Sequence, residues 1–182
     1  MTYPGPTTLA AGSLLLRPPE ERDVPAIVEA CQDEAIARWI PVPVPYTEDH
    51  ARQFVAERPD RWQDTERGEM TFAITDATDG RLLGMVGLHA RDATMRELGY
   101  WIAPWARGKG VMTAAARMTC EFGFEVLGLE RIEWWAGVGN EASWRVAEKL
   151  GFTREGTCRR RLPHRDQRLD AWVGGLLAGE LT

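Results

Sequence analysis

The chain is poor in the residues that build covalent or metal frameworks. Its three cysteines, Cys31, Cys120 and Cys158, are odd in number and far apart. They give neither a disulfide framework nor a zinc-ligand spacing. The three histidines, His50, His89 and His164, are scattered as well, so no metal is expected. No apolar run approaches the ~18 residues of a membrane-spanning helix. Met1 to Gly12 has neither a basic start nor an apolar h-region, so no secretory leader is read there. The expected location is the cytoplasm. Excess positive charge is also missing, since the formal net charge is −5 over 182 residues. A general nucleic-acid coat would be basic, so neither nucleic acid nor membrane is an expected partner. One stretch runs against that balance: between Arg154 and Arg168 stand six arginines against Glu155 and Asp166. The Arg159–Arg168 part reads as a hairpin that is either a solvated face or a contact for an acidic group.

What is present is a chain 44% hydrophobic and 27% charged, the balance of a globular protein with a real core. We read one domain over 8–182 and a short tail over 1–7. The most informative stretch is Tyr100-Trp101-Ile102-Ala103-Pro104-Trp105-Ala106-Arg107-Gly108-Lys109-Gly110-Val111-Met112-Thr113. It reads as a strand stopped by Pro104, a turn of glycine and basic residues, and a helix. Such a turn presents unpaired N–H groups at the positive end of a helix dipole, which suits a phosphate or pyrophosphate. Arg107 and Lys109 add formal charge. A Walker A loop would need Ser or Thr after the lysine, and Gly110 stands there. A dinucleotide fingerprint needs a third glycine or alanine, and Thr113 replaces it. Its acidic partner would fall near Glu130, at the wrong end of the next strand.

A third pattern, Arg/Gln-x-x-Gly-x-Gly/Ala, is met by Arg107-Gly108-Lys109-Gly110-Val111-Met112, with Met112 in place of the small last residue. Downstream lies Asn140-Glu141-Ala142-Ser143, then Lys149-Leu150-Gly151-Phe152; upstream lies Glu97-Leu98-Gly99-Tyr100-Trp101. Together these segments resemble the GNAT superfamily of N-acetyltransferases, in its RimJ/RimL-like (ribosomal-protein N-terminal acetyltransferase) branch. The likeness in order and spacing runs from about Leu14 to Leu181.

Along the chain, Leu14–Leu16 reads as a strand stopped by Pro18 and Pro19. Asp23 is expected to cap a helix reaching Trp39. Pro41, Pro43 and Pro45 force an extended connection, and Thr47 caps a second helix. Strands are expected at Met70–Ile74, Leu82–Leu88, Glu97–Ile102 and Arg131–Val138. Helices are expected from about Gly110 to Gly128 and from Glu141 to Gly151. Phe152–Arg160 and Leu169–Ala178 would be the last strands, joined by a polar loop containing Pro163. The order β-α-α-β-β-β-α-β-α-β-β is mixed α/β in a single domain. The resemblance implies a GNAT fold with a mixed, mostly antiparallel sheet. That sheet would splay at the acyl-CoA site, between the strand ending at Ala103 and the strand ending near Val138.

The resemblance also implies the chemistry. Acetyl-CoA would be the co-substrate and a primary amine the acceptor, either a protein N-terminal α-amine or a small molecule. The pyrophosphate would sit on Arg107, Gly108, Lys109, Gly110, Val111, Met112 and Thr113. Backbone groups of Trp101, Ile102 and Ala103 would pair with the pantetheine arm, and Asn140 would touch it. Glu97 is the expected general base, directly or through water, with Glu133 a weaker competitor. Ser143 is the expected donor to the leaving thiolate, since the helix from Glu141 to Leu150 contains no Tyr. Trp134, Trp135 and Trp101 are expected in the core, with lining of an acceptor pocket by some of them left open, and Trp39 and Trp62 near the acceptor site. Dimers are frequent in the family, so a homodimer is the expectation. Three other readings stay open: a non-catalytic acyl-CoA sensor, a longer acyl donor such as succinyl-CoA, and a nucleotide-binding oxidoreductase.

Overall fold

The structure, a computed structural model, describes residues 5–64 and 68–182. Residues 1–4 of the expected tail lie outside the described residues. A hairpin of β1 (Leu9–Ala11) and β2 (Leu14–Arg17) opens the chain, turning at Gly12 with φ 56°. Strand β1 was not expected. Helices α1 (Val24–Cys31), α2 (Glu34–Trp39) and α3 (Glu48–Gln63) follow. Strands β3 (Glu69–Asp76), β4 (Leu82–Ala90) and β5 (Met95–Ile102) come next. Then come α4 (Val111–Glu121), β6 (Arg131–Gly137), α5 (Glu141–Lys149), β7 (Thr153–His164) and β8 (Gln167–Leu177).

The eight strands form one sheet in the order β1-β2-β3-β4-β5-β6-β8-β7. Every pairing is antiparallel except β5 with β6. The parallel pairing runs only from Met95↔Arg131 to Leu98↔Trp134. Beyond it the two strands diverge, which is the expected splay. Alternation sends Leu16, Phe72, Ile74, Leu88 and Leu98 toward α4, which buries Met112, Ala115, Ala116 and Cys120 among them. The other face carries Ala73, Leu82 and Met85 against Val24, Ile27, Ala51 and Val55 of α1 and α3.

Three expectations need correction. The helix to Trp39 is broken, because Asp33 is extended (φ −68°, ψ 126°) and accepts from Ile36 N to restart the chain as α2. Asp23 is not a cap for α1. Its carboxylate takes both terminal nitrogens of Arg17 at 2.8 Å and the Glu20 amide at 2.8 Å. Pro163 lies in a strand, since the last hairpin runs on to His164↔Gln167. Strand β7 is the sheet edge, where a missing N–H costs no ladder bond. Thr47 caps α3 as expected, accepting from His50 N. Helix α4 stops at Glu121 and gives way to a π turn, with Gly128 at φ 66° ending the segment.

The Arg17–Asp23 pair is almost wholly buried, at 5% and 2% exposure. Removing one member of such a pair strands the other charge. Asp23→Ala should therefore lower stability by about 3–5 kcal/mol, read as a shift of the urea midpoint.

Candidate active site

On the face toward α1 and α3, the registers stack side chains into rows. One row is Thr71↔Gly87↔Gly99. With no side chain at Gly87 and Gly99, it forms a hollow floor. The row to one side is Ala73↔Met85↔Trp101, and the row to the other is Glu69↔His89↔Glu97↔Glu133 across four strands. Above the floor lies a cavity of ≈ 610 Å³. Its roof includes Trp39, Pro41, Val42 and Phe54, and the final hairpin adds Leu162 and Leu169. An ideal Cβ on Gly137 would come within 3.0 Å of the Trp39 ring, so glycine there lets α2 close on the end of β6. Arg165 donates to Ala37 O at 2.9 Å, which fastens the hairpin tip to α2.

The two tryptophans expected near the acceptor site separate. Trp39 lines the cavity, whereas Trp62 is 1% exposed and packs edge-on against Phe72 in the core. Of the three placed in the core, Trp134 is buried at 1% exposure, and all three line the cavity. Cys31 also lines it, but burial pushes its thiol up to about 12, so it stays neutral and weakly nucleophilic. Cys120 is fully buried in α4.

Each carboxylate of the charged row has a guanidinium. Arg58 Nη1 lies 2.6 Å from Glu69, whose other oxygen meets Arg61 and His89 Nδ1 at 3.3 Å. Arg91 pairs with Glu97. Arg131 pairs with Glu133 at 3.3 Å and with Glu155 at 2.5 Å. Glu97 thus lines the cavity as expected, but Arg91 already occupies it. His89 and Glu69 also reach the site and were not foreseen.

The cavity continues through the gap between β5 and β6, where Tyr100, Trp134, Asn140 and Ser143 line it. Asn140 caps α5 by accepting from Ser143 N at 3.2 Å. Trp134 Nε1 donates to Ser143 Oγ at 3.0 Å, Ser143 Oγ donates to the Tyr100 hydroxyl at 3.1 Å, and that hydroxyl donates to Ser143 O at 2.8 Å. Burial pushes the Tyr100 phenol above its ordinary range, keeping it a protonated donor. The tyrosine that α5 lacks arrives from β5, on the opposite parity to Glu97 and Trp101.

The loop before α4 fits an anion. The helical ladder begins with Ala114 N donating to Gly110 O at 3.1 Å, and no side chain caps the helix. The amides ahead of Ala114 therefore lack intrahelical partners. Gly108 and Gly110 both have φ 74°, with open space where a Cβ would stand. Met112 turns its side chain into the core at 6% exposure, so its bulk does not fill the loop. Arg107 pairs its guanidinium with Asp33 at 2.6 and 3.2 Å, and its amide is bonded to Pro104 O. That pairing holds the Asp33 carboxyl below its ordinary range. Lys109 is exposed, its Nζ bonded to Trp105 O at 3.2 Å. Ala103 is also spent: its N–H donates to Leu83 O and its carbonyl accepts from Ala106 N. Trp101 turns its carbonyl toward Gly84 on β4. Strand alternation leaves Ile102, and Tyr100 beside it, with backbone groups facing the gap.

The acetyltransferase (GNAT) domain model matches residues 13–153. The chain belongs to the GNAT acetyltransferase family. A Bacillus subtilis (strain 168) relative, YdaF, provisionally named a ribosomal N-acetyltransferase, is 48% identical over 83 residues, 44% of this chain. That match spans 45% of YdaF, less than half its length. Its name lies in the branch to which the motifs point. The GNAT-family acetyltransferase structure from Bacillus anthracis superposes with a TM-score of 0.83 at 27% identity, covering 94% of this GNAT chain and 98% of that one. RimL, a ribosomal L7/L12 α-N-protein acetyltransferase solved with coenzyme A, shares the fold with a TM-score of 0.83 at 18% identity, over 94% and 98% of the two chains.

Glu69 makes the GNAT site testable by acid. His89 and the Arg58 guanidinium hold its carboxyl down at about 2, against 4.5 ordinarily. A depressed carboxylate stabilises the folded state above its unfolded value, and that contribution is lost as pH falls toward the folded one. The Tm gap between the native chain and Glu69→Gln should therefore be full above about pH 4.5 and close toward pH 2.

Proposed function

We propose that this chain transfers an acetyl group from acetyl-CoA to a primary amine by direct attack, the amine being a protein N-terminal α-amine or a small molecule. The observation that carries the reading is a cavity continuous through the β5/β6 gap, with Glu97 on one face of the sheet and Ser143 on the other. Acetyl-CoA, when bound, supplies an activated acyl thioester and a thiol leaving group.

The chain's own residues would do the rest. The amides from Gly108 to Thr113 hold the pyrophosphate at the start of α4. Ile102 and Tyr100 offer backbone groups along the open edge of β5, and Asn140 fixes the first turn of α5 beside them. The apolar roof excludes water from the acceptor. Glu97, paired with Arg91, draws the acceptor ammonium into the charged row, where it must lose a proton before it can attack. Ser143 Oγ, which already accepts from Trp134, donates a hydrogen bond to the departing sulfur, while Tyr100 holds the hydroxyl in place.

Binding of acetyl-CoA by calorimetry, followed by thiol release over short peptides and small amines, tests the reading. Binding with release on a subset of amines supports it, and no binding would remove it. Ser143→Ala should lower kcat by about 10²-fold with acetyl-CoA affinity nearly unchanged. Glu97→Gln should act mainly on the KM for the amine. Equal losses of coenzyme binding and rate in both variants would refute these roles.

A further inference from the structure

The charged row holds a group that none of the expectations used. His89 lies between two carboxylates, with Glu69 its register partner on β3 and Glu97 its partner on β5. Its Nδ1 sits 3.3 Å from Glu69. A carboxylate only accepts, so Nδ1 is the donor to it, and in the neutral ring the lone pair stands on Nε2. An ideal Cβ on Gly99 would stand 2.7 Å from that Nε2. The imidazole therefore lies over Gly99, in space that any larger residue would take. Gly99 is the first β5 residue past the last pairing with β6 at Leu98. Nε2 is thus held on the cavity floor where the sheet opens, while the Glu97 carboxylate is engaged by Arg91.

We propose that His89 is the catalytic base of the transfer and that Glu69 is its positioning residue. The assignment rests on the acetyltransferase reading and deepens it. His89 Nε2 takes one proton from the acceptor ammonium, giving imidazolium and a neutral amine. The amine lone pair then forms the new C–N bond as the C–S bond breaks, the nitrogen's second proton passes to the departing thiolate to give the free thiol, and the imidazolium returns its proton to water. Around the imidazole stand Glu69 on β3, Glu97 on β5, Arg58 and Arg61 of α3 against Glu69, Arg91 against Glu97, and Glu133 one strand further.

The test is the pH dependence of kcat/KM, by thiol release, with an amine that the native chain acetylates. The rate should rise with slope one to a plateau, and the midpoint should match the titration of the His89 ring protons by NMR in the native chain. His89→Gln should lose about 10²–10⁴-fold at the plateau and lose the limb, with acetyl-CoA affinity unchanged. Glu69→Gln should keep the limb but move it to lower pH, because an anion that favours the imidazolium is gone; a merely structural role would lower the rate without moving the midpoint. A His89→Gln enzyme that keeps the limb, or a limb abolished by Glu97→Gln alone, would overturn the assignment in favour of Glu97. Should His89→Gln fail to fold, the NMR comparison still decides, since a mismatch of midpoints excludes His89. Acetyl-CoA binding without turnover on any amine would instead fall on the transfer reading itself, and the assignment would go with it.

Discussion

The site depends on the parting of β5 and β6. Four residue pairs hold the two strands parallel, from Met95↔Arg131 to Leu98↔Trp134. After that each strand keeps its outer partner, β4 for one and β8 for the other. A sheet that parts exposes unpaired N–H and C=O groups in its middle, and such groups are costly to bury without partners. Here they open onto a cavity. Because strand alternation sends Glu97 to one side and Tyr100 to the other, the opening also joins two groups of side chains that a continuous sheet would keep apart.

Around that opening the polar residues are held by other polar residues. Trp134, Tyr100 and Asn140 all converge on Ser143, so its hydroxyl and amide are both fixed. The charged row has a guanidinium for each carboxylate, with Arg58 and Arg61 reaching it from α3. The Arg107–Asp33 pair ties the glycine loop to the cap of α2, and Arg165 ties the hairpin tip to the same helix. The roof of the cavity and the glycine loop are therefore braced through one short helix.

Much of this was legible in the chain. The glycine turn, the Thr47 cap and the Asn140–Ser143 turn are local devices. Their hydrogen bonds span three or four residues, so their meaning survives in the linear sequence. Other features failed for equally local reasons. The identity of Asp23 suggested a cap, but nothing nearby announced the buried Arg17 that claims its carboxylate. Nor did anything near Arg107 announce its ion-pair partner, Asp33, 74 residues away in the chain.

The sequence by itself determined the family, the order of most elements, the glycine loop at α4 and the Asn140–Ser143 turn, because each is carried by residue type at short spacing. Tertiary structure decided which side chains share a face across strands. Glu69, His89, Glu97 and Glu133 form one row only because three separate pairings fall into register. Tyr100 meets Ser143 only because α5 packs beside the gap. Register is set by long-range pairing of backbone groups and burial of alternate faces, and no local spacing in the chain encodes it.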